Sequence, residues 1–217
     1  MHLNFDIKVL LLTTTLSFIT VYRKGNASYL RLFPIFLLIK VIVELTANWL
    51  WSQHQSNILL YNLYSSVLFS FYIYFFQTTL ISSVLKKWIT WLLSSFLLLW
   101  FIDLIWVQGL THFNTYSYSL GCLIIVSLSI CYFFQLFNTT EKTKLMTEPA
   151  FWIITGLLFC FASSLSLLGV INYVSTLPKP VVNDLFNLLH FVNSMLYFLF
   201  IIAFVCKLPT RKSTSNT

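Results

Sequence analysis

The chain has 217 residues, of which 58% are hydrophobic, 18% aromatic and only 9% charged, with a formal net charge of +7. So little polar sequence excludes a separate water-soluble module of any size. Nucleic-acid binding is excluded too, because the basic residues are scattered over short loops instead of sharing a face with readout side chains.

A helix needs about 20 mostly apolar residues to cross roughly 30 Å of hydrocarbon. Seven stretches of that kind follow one another, at about 5–22, 30–52, 57–79, 88–107, 115–137, 150–174 and 183–206. Helices are required because hydrocarbon offers backbone N–H and C=O groups no partner, and the alternation of a membrane barrel is absent. The expectation is an all-α, polytopic bundle of seven transmembrane helices over residues 1–207, with 208–217 as a short polar cytoplasmic tail.

The first stretch carries Asp6 and Lys8 ahead of its apolar run, and no small-residue cleavage site follows Val21, so it reads as a retained helix rather than a signal peptide. In the second, Lys40, Glu44 and Asn48 recur every four residues and share one face. Lys40 then either forms an ion pair that lowers insertion cost or tunes Glu44 for a ligand. The third opens on Leu60-Tyr61-Asn62-Leu63-Tyr64 and continues with crowded aromatics, read as packing and interfacial belt residues together with Trp49, Trp51, Trp88, Trp91, Trp106 and Trp152.

Asp103 lies near the end of the fourth stretch. Cys122, Cys131, Cys160 and Cys206 in the later stretches have no ligand-pair spacing and read as small packing residues. Gly156, Gly169 and Ser163, Ser164 and Ser166 let helices of the sixth approach closely. The seventh carries Asn183, Asn187, His190, Asn193, Ser194 and Tyr197 at spacings that place them on one side.

Basic residues near the span ends predict the orientation. Arg23, Lys24, Arg31, Lys86, Lys87, Lys142, Lys144, Lys207, Arg211 and Lys212 fall on one side, against Lys8 and Lys179 on the other, which predicts N-out and C-in. At 1.5 Å per residue, Glu44, Asn62, Asp103 and His190 then lie about 12, 8, 6 and 10 Å from the outer ends of their helices. Ionisable groups inside a membrane are functional candidates by default. Their common depth predicts a polar ligand pocket in the outer half of the bilayer, made by Glu44, Asn62, Asp103, Asn187, His190 and Asn193, with Lys40 tuning the charge.

The parts of most catalytic centres are missing. His2, His54, His112 and His190 form no ligand pair, so no metal site and no cofactor is expected, and five glycines supply neither a nucleophile elbow nor a phosphate loop. No catalytic residue is assigned. The prolines lie near helix ends and the halves show no clear repeat, which weakens a secondary-transporter reading; an intramembrane lipid-modifying enzyme is the second alternative.

The run Thr147-Glu148-Pro149-Ala150-Phe151-Trp152-Ile153-Ile154-Thr155-Gly156, with Asn187 and Asn193 in the last span and the Leu60 to Tyr64 segment, resembles uncharacterised small seven-helix membrane proteins of Bacteroidota-type bacteria. More loosely it resembles the seven-helix sensory modules of bacterial histidine kinases. The resemblance implies a multi-pass protein of the bacterial inner membrane with a small-molecule or lipid ligand and coupling to the cytoplasmic side. No kinase or cyclase sequence follows the last helix, so the sensor reading requires a cytoplasmic or membrane signalling partner.

Overall fold

A computed structural model describes residues 5–22, 28–80, 83–138, 145–171 and 178–206. It is all-α: α1 (Phe5–Val21), α2 (Phe33–Ser52), α3 (Ile58–Thr79), α4 (Ser83–Ile102) continued by a π turn (Asp103–Val107), α5 (Thr115–Asn138), α6 (Pro149–Ile171) and α7 (Lys179–Val205). Six of these, α2 to α7, are long and apolar enough to cross a membrane, so the chain is an integral, multi-pass membrane protein. At 17 residues, α1 is roughly 25 Å long, a little short of the hydrocarbon thickness. The predicted tail and the basic residues Arg23, Lys24, Lys142, Lys144, Lys207, Arg211 and Lys212 lie outside the described residues.

The helix ends follow local chemistry. Three helices carry proline in their first turn, Pro34 in α2, Pro149 in α6 and Pro180 in α7, where the missing N–H costs nothing. This lets α7 begin at Lys179, four residues before the predicted start at 183. α2 stops in a Schellman turn: His54 takes φ +58° and donates its N–H to Trp51 O at 3.0 Å, while Gln55 N–H reaches Leu50 O at 3.0 Å. α4 also begins early, at Ser83 rather than 88, taking Lys86 and Lys87 into its first turns. It ends where Gln108 N–H bonds Asp103 O five residues back, and Gly109 at φ +73° turns the chain towards α5.

α1, α2, α3, α5, α6 and α7 pack into a ring, each against its neighbours, with α7 closing onto α1 and α4 set outside against α3 and α5. That position explains why so much of α4 is exposed, including Trp88, Trp91, Leu98 and Phe101. Between helices in lipid there is little hydrophobic driving force, so close packing of shapes has to hold the ring together. α1 does this with Thr13, Thr14, Ser17 and Thr20 on its buried face. Their hydroxyls return to carbonyls of their own helix at 2.7 to 2.8 Å, leaving a small, hydrogen-bond-satisfied surface.

Interlocked rings fill the half of the ring nearer the start of α2. Phe33 meets Phe71, Phe75, Phe200 and Phe204 with centroids 5.0 to 5.9 Å apart, all near edge-on. Phe69 likewise joins α3 to Phe96 of α4, Tyr118 of α5 and Phe161 of α6. Gly121 makes this possible, since a Cβ there would stand 2.6 Å from three atoms of the Phe69 ring. Gly121→Ala is therefore expected to cost about 1–3 kcal/mol by overpacking, measured as the shift of a detergent-unfolding midpoint.

Candidate functional site

Inside the ring, at the end where α1, α3, α5 and α7 begin, lies a cavity of about 590 Å³. This is within the size range of small-molecule sites, about 300–1,000 Å³. All six ring helices line it, together with Gln108, His112 and Phe113 of the α4–α5 connection. Its polar lining comes from Asp6 of α1, Lys40 and Glu44 of α2, Tyr61, Tyr64 and Ser65 of α3, Ser164 of α6, and His190 and Asn193 of α7; Leu167, Leu168, Phe186 and Leu189 add apolar surface.

Two charge clusters organise the polar lining. Lys40 Nζ lies 2.9 Å from Glu44 Oε1, one helical turn away, and 5.0 Å from the centre of the Tyr64 ring. Tyr61 donates its hydroxyl proton to Glu44 Oε2 at 3.0 Å. The pair is 15% and 18% exposed, so both ends of it border the cavity rather than the protein core. In the second cluster His190 Nδ1 stands 3.0 Å from Asp6 Oδ2, tying α7 to α1. Two polar atoms of these lining residues are buried without a hydrogen-bond partner, Asp6 Oδ1 and the Tyr64 hydroxyl.

Of the residues predicted from sequence, Lys40, Glu44, His190 and Asn193 border this one cavity. The other three do not line it. Asn62 is 0% exposed, and its side chain is spent on the α4–α5 connection: Nδ2 donates to His112 O at 2.8 Å and Oδ1 accepts from Asn114 N–H at 3.0 Å. Asp103, 5% exposed, caps α5 instead, accepting from Ser117 N–H at 3.0 Å and from its hydroxyl at 2.5 Å. Asn187 stands exposed on α7, about 60° round the helix from His190 and about 120° from Asn193.

Depth places residues on one level and leaves their direction around the helix open. That is why four of seven converge and three do not. Sequence reasoning missed Asp6, Tyr61, Tyr64, His112 and Tyr118 as cavity residues. For Asp6 the signal was present: an acidic side chain in the first turn of an apolar helix, at the same level as His190. His112 lies in a connection whose path only tertiary packing sets.

Beneath the main cavity a space of about 30 Å³ continues between Lys40, Leu68, Tyr118 and Asn193, which border both, and Tyr72, Cys160 and Tyr197. The interlocked rings around Phe33 lie beyond it. The arrangement can hold a molecule with a polar and an apolar side, but among the described residues it presents no set of metal ligands. Compared with protein-family models, with curated proteins and with solved structures, the chain matches none.

Proposed function

We propose that the chain is a seven-span, N-out and C-in ligand-binding module of sensor type in a bacterial inner membrane. The cavity is the single observation that carries this reading: about 590 Å³ with a mixed polar and apolar lining, and two of the lining side chains with a buried polar atom left without a partner. Buried polar groups are almost always hydrogen-bonded, so a pair of orphans on a cavity wall favours an occupant that supplies the missing bonds. The excess of ten basic residues over two on the opposite side supports the orientation, which puts the cavity in the outer half of the bilayer. α1 then crosses as a seventh span, its slight shortness met by local thinning of the lipid.

Binding is favoured over transport because the half of the ring away from the cavity is closed by Phe33, Phe75, Phe200 and Phe204, all 2% exposed or less. A sensor reading also has a mechanical basis: α7 carries His190 and Asn193 at the cavity and Phe200 and Phe204 in the aromatic plug, so one rigid helix joins both ends. The partner that receives the signal docks on the cytoplasmic loops or on an exposed helix face. The likeness to sensory modules noted above agrees with this.

The test is native mass spectrometry of the protein released from nanodiscs, wild type against Ser164→Phe. Ser164 lies on the cavity wall from α6 and belongs to neither charge cluster, so a phenyl ring there takes up part of the space. A co-purifying small molecule or lipid is expected on the wild type and reduced on the variant. A species that binds both equally, or neither, would overturn the cavity as a ligand site.

A further inference from the structure

The chemistry of the cavity wall narrows the class of ligand. Its lining holds two carboxylates, Asp6 and Glu44, and one ammonium, Lys40; with His112 and His190 neutral its formal charge is −1. Lys40 is already neutralised by Glu44 and covered by the Tyr64 ring, and Glu44 is further held by Tyr61. Neither has much to offer an incoming anion or cation. The charge left over is that of Asp6, which is 7% exposed, meets His190 through one oxygen, and has its other oxygen buried without a partner.

A lone acidic residue is no site. Here, however, it borders a cavity of small-molecule size, and a second orphan, the hydroxyl of the 5%-exposed Tyr64, belongs to the same lining. Aromatic faces complete the setting, with Tyr61, Tyr64, Phe113, Tyr118 and Phe186 all in the lining. Rings supply their negative faces to an organic cation and cost it little desolvation. The apolar surface of Leu167, Leu168 and Leu189 suits a hydrocarbon body.

Resting on the ligand-binding reading, we propose that the cavity takes a cationic amphiphile, an organic ammonium with an apolar body, whose head pairs with Asp6. An anionic amphiphile would face the unpaired carboxylate and find Lys40 occupied. A neutral one would leave Asp6 with no better partner than His190.

The test uses the full chain in neutral maltoside micelles and three probes that share a six-carbon tail: hexyltrimethylammonium, hexanesulfonate and hexan-1-ol. Saturable binding, read by calorimetry and by the rise in unfolding temperature, is expected to favour the ammonium by about tenfold or more over the other two. Asp6→Asn, which keeps the shape, should lose that preference.

Tighter binding of the sulfonate, an unchanged preference in Asp6→Asn, or no saturable binding of any probe overturns the cation proposal. Ser164→Phe separates that failure from failure of the cavity reading. Sulfonate binding weakened by the narrowed cavity leaves a ligand site of the other charge, whereas ammonium binding unchanged by the narrowing overturns both.

Discussion

Glu44→Leu is expected to destabilise the protein by about 3–5 kcal/mol, towards the lower end because both partners border the cavity. The substitution leaves Lys40 inside a membrane helix with its counter-charge gone and only the Tyr64 ring nearby. Lys40 cannot snorkel to either interface easily, being eight residues into α2 and twelve from its end at Ser52. The companion variant is Lys40→Met/Glu44→Leu, which removes both charges and substitutes apolar volume. It should be within about 1 kcal/mol of wild type or more stable, because the pair's attraction is largely offset by desolvation. The midpoint of sodium dodecyl sulfate unfolding in mixed micelles measures both. A double variant as unstable as the single one would mean that the pair stabilises the fold outright.

Asn62→Leu carries the second large effect, about 1–3 kcal/mol on the same scale. One side chain satisfies two backbone groups across the bundle, His112 O and Asn114 N–H, and each loses its partner in the variant. Leaving a buried backbone group unpaired costs about 1–3 kcal/mol, and of the two it is Asn114, 1% exposed, that is buried. The backbone of Asn62 also accepts the Trp100 Nε1 proton at 3.2 Å, holding α4 against α3, and this bond does not depend on the side chain. The loss therefore falls on the α4–α5 connection, which carries His112 and Phe113 at the cavity. Weaker ligand binding should accompany the lower stability. A stability loss with binding untouched would show that the connection keeps its place without Asn62.

Much of the architecture is legible in the unfolded chain because a bilayer demands a single kind of element. Six of the seven predicted spans recur as helices long and apolar enough to cross, and most boundaries move by a few residues. The larger shifts have local causes: proline at the start of α7 and a lysine-bearing first turn in α4 lengthen those helices beyond their apolar cores. The first helix is the marginal one, since its length is below that of a full crossing and its inner face is hydroxyl-lined.

The candidate site was legible only in part. Lys40 and Glu44 are four apart on one helix, so their pairing follows from helical geometry alone. His190 and Asn193 share a helix face and do reach the cavity together. Asp103 and Asn62 looked equivalent to them as polar residues at membrane depth, yet Asn62 is held by the α4–α5 connection and Asp103 by Ser117 of α5 through one of its oxygens. Asp6 lies 184 residues from His190, and no local pattern joins them.

By itself the sequence determined an all-helical membrane protein, the approximate span limits and the level at which polar side chains sit, because hydrophobic length and helical rise act residue by residue. Only the tertiary structure decided which polar residues meet. Closing α7 onto α1 brings Asp6 to His190, and the π turn at Asp103 accompanies that carboxylate's use as a cap for α5 rather than as a cavity wall. The direction in which a buried polar group points depends on which helices it packs between, and that is a property of the ring rather than of any one segment.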